Sequence, residues 1–259
     1  MDHLPNKPYI SLLIFGAIAL SNFGYAQPTG FSFGQHLFSS SFNMKNGIEA
    51  ITEETYDLST AQPLLLNTQE SLYNTEGYLT QVEIIDEQNG FSSHYYYFYN
   101  DSNLLSYIEF EDDTTARHRS SHFEYFFNEV QVIDLSPSGF KLMTSTILLQ
   151  GPNKIKTYEM NFAFGFSEKH EYEYNEKDQP TKATISYLQG GKKKDFDTSY
   201  ASYNEQGNVI AFKLYPKNNK KKPDYVEQFT YTYDEEGQWV TKRSDQNPGR
   251  EVRRTYSYY

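Results

Sequence analysis

Apolar and polar residues alternate with a period of two along most of the chain. Phe229, Tyr231 and Tyr233 share one face, and Gln228, Thr230 and Thr232 the other. Tyr158, Met160, Phe162, Phe164 and Phe166 line up opposite Thr157, Glu159, Asn161 and Ala163, and Phe123, Tyr125 and Phe127 repeat the pattern. Such alternation predicts strands with one buried face. Beyond residue 26 the best helix candidate is 45–54, KNGIEAITEE, and it is short.

The strands are punctuated by one recurring phrase. Tyr73-Asn74-Thr75-Glu76-Gly77 is followed by Tyr99-Asn100-Asp101-Ser102-Asn103, Tyr174-Asn175-Glu176-Lys177-Asp178, Tyr203-Asn204-Glu205-Gln206-Gly207 and Tyr233-Asp234-Glu235-Glu236-Gly237. Degenerate copies lie at Phe127-Asn128-Glu129 and at Leu149 to Ile155. The step is roughly 22–30 residues, the mark of repeated supersecondary units. In each copy Tyr ends a strand, and Asn or Asp opens a tight turn by bonding its own backbone. Gly, Asn or Asp then accepts a positive φ. The predicted turn residues are Asn74, Gly77, Asn100, Asn103, Asn175, Asn204, Gly207, Asp234 and Gly237. The fold class expected is all-β, an antiparallel meander of consecutive hairpins with about 14–15 strands, forming one long, strongly twisted or curled sheet. The expected divisions are 1–26, a 27–63 arm or leading strand, and a 64–259 hairpin domain.

Phe229 to Trp239, FTYTYDEEGQW, resembles the YD repeat of RHS-type repeat proteins, and residues 64–259 follow that pattern loosely. The resemblance implies a β-hairpin array. Large members of that family wrap their hairpins into a shell around a toxic C-terminal domain. This sequence ends in Thr255-Tyr256-Ser257-Tyr258-Tyr259, which reads as a last strand, so the resemblance points to a small exported bacterial form without a toxin domain.

The N-terminus changes the picture of where the protein works. Lys7 precedes an apolar run from Tyr9 to Leu20, and Gly24-Tyr25-Ala26 places small residues before Gln27. This is the pattern of a secretory signal cleaved near Ala26, too short for a comfortable membrane span. The chain has no cysteine, which excludes disulfides and thiolate chemistry. Its net charge of −11 disfavours nucleic acid, and its mean hydropathy of −0.74 disfavours a polytopic helical membrane protein.

Hairpin connections sort the loops into two rims. The repeat turns make one rim acidic. The other carries the longer links, with Lys192, Lys193, Lys194, Lys220, Lys221 and Lys222 in two neighbouring ones. Such a cluster suits an anionic partner, although lysine-rich tips also serve as solubility devices. A second candidate site is the segment His94, Tyr95, Tyr96, Tyr97 and Tyr99, because a strand aromatic on both faces must be buried twice or hold a ligand.

Catalytic constellations are missing from the sequence. His118 and His122 stand ~13 Å apart on a strand, too far to share a metal. His170 opposes Glu171 and Glu173 across a strand. Gln189-Gly190-Gly191-Lys192 lacks phosphate-loop spacing. The expectation is an exported, non-catalytic binding or scaffold module of the cell envelope. It needs no cofactor or metal, and its partner is a glycan, a peptide, an anionic surface or another envelope protein. The alternatives are an outer-membrane β-barrel and a hydrolase on a β scaffold.

Overall fold

A computed structural model describes residues 47–113, 117–151, 154–162, 165–216 and 222–259. The signal pattern, the 27–46 stretch, Lys220 and Lys221 lie outside the described residues. Sixteen strands follow in chain order: β1 (Ile48–Asp57), β2 (Leu64–Tyr73), β3 (Leu79–Asp86), β4 (Phe91–Tyr99), β5 (Leu105–Asp112), β6 (Arg117–Phe126), β7 (Glu129–Leu135), β8 (Lys141–Gly151), β9 (Lys154–Asn161), β10 (Phe166–Tyr174), β11 (Pro180–Gln189), β12 (Lys192–Tyr203), β13 (Val209–Tyr215), β14 (Tyr225–Tyr233), β15 (Trp239–Ser244) and β16 (Arg250–Tyr258). Each pairs antiparallel with its sequence neighbour, and β1 pairs with β16, so the meander closes into a barrel.

The expected open sheet is therefore corrected to a closed barrel, and the array is not a YD/RHS repeat protein. The physical reason for closure lies in the repeat itself. The ladder shifts register next to Tyr73, Tyr99, Tyr174, Tyr203 and Tyr233, the tyrosine of each recognisable phrase. Bulges add twist and bend a strand. The same bend at the same rim, repeated around the sheet, brings the two edge strands together, and closure removes both open edges. Two further expectations change. Residues 45–54, the helix candidate, mostly belong to strand β1, and the row Tyr158 to Phe166 is broken because β9 ends at Asn161 and β10 begins at Phe166.

The five turns share one construction. Asn74 Oδ1 accepts from the Glu76 and Tyr78 amides at 3.1 and 2.9 Å, and Asn100 Oδ1 accepts from Ser102 and Leu104, both at 3.0 Å. The fourth residue of each turn has a positive φ: 84° at Gly77, 59° at Asn103, 62° at Asp178, 85° at Gly207 and 79° at Gly237. Glycine, or the short polar side chain of Asn or Asp, tolerates that region best. The link Ser136–Phe140 on the opposite rim repeats the design, with the Ser136 hydroxyl accepting from the Phe140 amide at 3.0 Å. Asn100→Ala removes both local acceptors and is expected to cost about 1–2 kcal/mol in urea unfolding. An unchanged midpoint would mean that the turn holds without its side chain.

The inner face is enclosed. Ile147, Ala183 and Glu227 are 0% exposed, and the buried apolar side chains of nearly every strand form one connected cluster. A round sixteen-strand wall can leave an aqueous channel. Burial this complete requires the interior to be filled. The outer face is different: Glu54, Glu70, Glu83, Glu109, Glu124, Glu159, Lys169, Lys182, Lys213, Arg243 and Arg253 alternate with the buried rows on their strands.

Candidate functional site

Tyrosine hydroxyls line the inner side of the repeat-turn rim. The ladders between hairpins stop short of this rim, for instance at Gln81↔Tyr96, Ala211↔Gln228 and Thr241↔Arg253. The carbonyls freed at the start of each return strand need donors. Tyr99, Tyr174 and Tyr203 supply them to Leu79, Ile155 and Pro180, each at 2.8 Å. Tyr231 donates to Val209 at 2.9 Å, and Tyr256 to Trp239 at 3.1 Å. The repeat tyrosine thus clamps neighbouring hairpins as well as ending a strand. Burial pushes the Tyr174 phenol up to about 12.

Between β15 and β16 the wall parts most deeply, since only three residue pairs join these strands. The gap is an open groove of about 540 Å³ lined by Asp234, Glu236, Val240, Arg254, Thr255, Tyr256 and Tyr258. Arg254 forms its floor. Its guanidinium lies 3.6 Å from the centre of the Trp239 ring, and Glu53 Oε1 accepts from its Nε at 2.8 Å and also from Nη2. Gln238 Nε2 donates to the Tyr258 hydroxyl at 2.8 Å, which holds that ring at the lip. Deeper inside are Lys242, over the Phe229 ring at 4.6 Å, and Glu227, whose Oε1 accepts from the Ser244 hydroxyl at 2.5 Å. Glu227 Oε2 is buried and has no hydrogen-bond partner among the described residues. Burial lowers the Lys242 ammonium to about 8, and nearby Glu53 and Glu227 resist that shift. The groove offers two rings for stacking, two rim carboxylates and one anchored guanidinium.

The aromatic row of β4 does not form one site. Tyr95 and Tyr97 point inward and are buried, and the Tyr99 hydroxyl is spent on the Leu79 carbonyl. His94 and Tyr96 alternate with them on the outer face, their rings stacked 6.3 Å apart. His94 Nδ1 lies 3.9 Å from Glu83 and Nε2 lies 3.8 Å from Asp113. Outside and inside are separated by the wall, so the five residues cannot meet one ligand. Lys192, Lys193 and Lys194 are exposed at the β11–β12 tip, and Lys222 is exposed at the next tip of the same rim.

A second polar group is buried across β6–β10. Ser121 donates to Asp134, His170 Nε2 lies 2.5 Å from Glu168, and the Tyr158 hydroxyl is 3.5 Å from that of Ser145. Desolvation raises the Asp134 carboxyl against the Ser121 hydrogen bond. The cluster is enclosed and holds no activated nucleophile among the described residues. Among the described residues no three His, Asp or Glu gather there in a metal-binding group. Sequence reasoning missed Glu53, Lys242 and Arg254. The available signal was charge on the inward parity of β16, where Arg254 lies two residues from Val252 and from Tyr256 on the buried face.

No protein-family model and no curated protein matches the chain. Solved structures with some likeness include a porin-like protein from Bacteroides uniformis, 15% identical over 81% of this chain and 98% of that one, with a TM-score of 0.41. A porin-like protein from Bacteroides vulgatus is 8% identical over 83% and 99%, with a TM-score of 0.38. The Photorhabdus luminescens Tc holotoxin pore is 12% identical over 74% of this chain and 13% of that chain, with a TM-score of 0.31. Likeness at this level carries nothing about activity. Among the described residues no helix is long and apolar enough to cross a membrane, which says nothing about strands.

Proposed function

We propose that the chain is exported and works in the cell envelope as a closed, water-facing β-barrel that binds a ligand and has no catalytic role. The observation that carries this reading is the division of the wall, charged outside and enclosed and largely apolar inside. A lipid-spanning barrel needs an apolar outer band about 25 Å tall. Here charged side chains interrupt that height on most strands, and charge on a lipid face is costly. The β15–β16 groove is the binding site in this reading. Its rings and hydrogen-bonding groups suit a short envelope glycan.

A second reading, an outer-membrane β-barrel, is favoured by closure itself and by the even strand number. One experiment separates the two. Envelopes are prepared from expressing cells and washed with alkaline carbonate. The water-facing barrel is expected in the supernatant. Retention in the washed outer membrane, with ion conductance on reconstitution, would establish the second reading instead.

A further inference from the structure

One sector of the link rim differs from the rest of the surface. Phe140 is 74% exposed at the β7–β8 tip, Leu142 beside it is 44% exposed, and Phe166 at the β9–β10 tip is 49% exposed. Lys141 and Lys192 to Lys194 are exposed in the same sector. The tips are joined, because the Gly190 amide of the lysine tip donates to the Gly165 carbonyl of the Phe166 tip at 2.9 Å. Above them the outer faces of β7 and β8 continue as Ile133, Thr144, Gln131 and Thr146, and the next charge on these two outer faces, Glu129, comes at the far rim opposite Leu148.

We infer that this sector docks on the surface of an anionic lipid bilayer. Exposed phenylalanine and leucine at hairpin tips gain by entering the headgroup boundary, and adjacent lysines are drawn to anionic headgroups. A chain of net charge −11 is otherwise repelled by such a surface, so a local basic patch is what would permit approach. The acidic turns lie on the opposite rim, and the resulting polarity orients the barrel with the lysines toward the bilayer. An acidic polysaccharide would use the lysines and can stack on an aromatic ring, but it has no use for the aliphatic Leu142. The apolar tips therefore favour the bilayer as occupant. This goes beyond the glycan groove and does not depend on it.

The test uses the barrel purified after export and vesicles of phosphatidylcholine with or without phosphatidylglycerol. The chain's single tryptophan, Trp239, begins β15 at the other rim, so Phe140→Trp adds a reporter at the proposed contact. At low salt the protein should sediment with anionic vesicles and not with neutral ones. The emission of the Phe140→Trp variant should shift to the blue and be quenched by brominated lipid. Lys192→Glu/Lys193→Glu/Lys194→Glu should weaken partitioning roughly 100-fold, and Phe140→Ser/Leu142→Ser roughly tenfold. Phe127→Ser, at an exposed tip of the acidic rim, should change nothing. Circular dichroism verifies that each variant is folded. The inference is overturned by equal binding to neutral vesicles, by no sedimentation, or by sedimentation without quenching. It is also overturned by a loss in Phe127→Ser equal to that in the Phe140 variant, or by an acidic polysaccharide that abolishes vesicle binding while leaving the reporter unshifted.

Discussion

Glu53→Ala is expected to lower the unfolding free energy by about 2–3 kcal/mol, somewhat below the 3–5 kcal/mol typical of breaking a fully buried pair. The Glu53 and Arg254 side chains keep 25% and 21% of their surface, so water still compensates part of the loss. Removing the carboxylate leaves a guanidinium against Trp239 with no anion inside the seam that closes the barrel. Glu53→Leu with Arg254→Met removes both charges and is expected to recover to within about 1 kcal/mol of the parent, since apolar replacement of an ion pair is often neutral. Equilibrium unfolding in urea reads both numbers. Closure itself can be trapped separately. Thr52 and Thr255 are direct partners across β1 and β16, and the chain has no other cysteine to compete. Thr52→Cys/Thr255→Cys should therefore form an intramolecular disulfide on mild oxidation. A neutral Glu53→Ala together with no disulfide would mean that the first and last strands do not meet.

That seam marks where the sequence stops being informative. Alternation and turn chemistry are local properties, and both are written in single segments: Tyr, then Asn or Asp, then a residue that tolerates positive φ. The pairing of Glu53 with Arg254 spans 201 residues, and no local pattern announces it. The bulges that curl the sheet are tied to the repeat tyrosine, yet a tyrosine ending a strand looks the same with or without a bulge. The aromatic segment 94–99 misled for a related reason. Rings on both faces of a strand suggest one site, whereas a closed wall assigns alternate rings to the core and to the outside. The lysine tips were legible because adjacent links of a meander must share a rim. Their relation to Phe140 and Phe166 was not, because it depends on which link residues remain uncovered. Lys242 was invisible as an interior group, since its strand, Trp239 to Ser244, carries polar residues at both parities.

The interior charges predict an unusual pH profile: stability should rise by about 1 kcal/mol from pH 7 to a maximum between pH 9 and 10, then fall steeply. Burial brings Lys242 down to about 8, against 10.5 for a free lysine. Between those values the unfolded chain holds the extra proton, so raising the pH favours the folded state, and the cost of keeping an ammonium inside disappears. The tyrosines act in the opposite sense. Tyr73, Tyr125 and Tyr174 are pushed up to about 12 by burial. From the ordinary phenol value of 10 upward, the folded state therefore holds protons that the unfolded chain has lost. Their contribution is complete below 10 and vanishes as pH rises through 12. The lysine gain comes first and the tyrosine loss overtakes it, which places the maximum just below the ordinary phenol value, where the unfolded chain's tyrosines begin to lose protons. Urea unfolding at half-unit pH steps would trace the profile. In Lys242→Met the rise should be absent and the tyrosine-dependent fall retained. A parent profile flat from pH 7 to 9 would mean that Lys242 reaches water and is not an interior group.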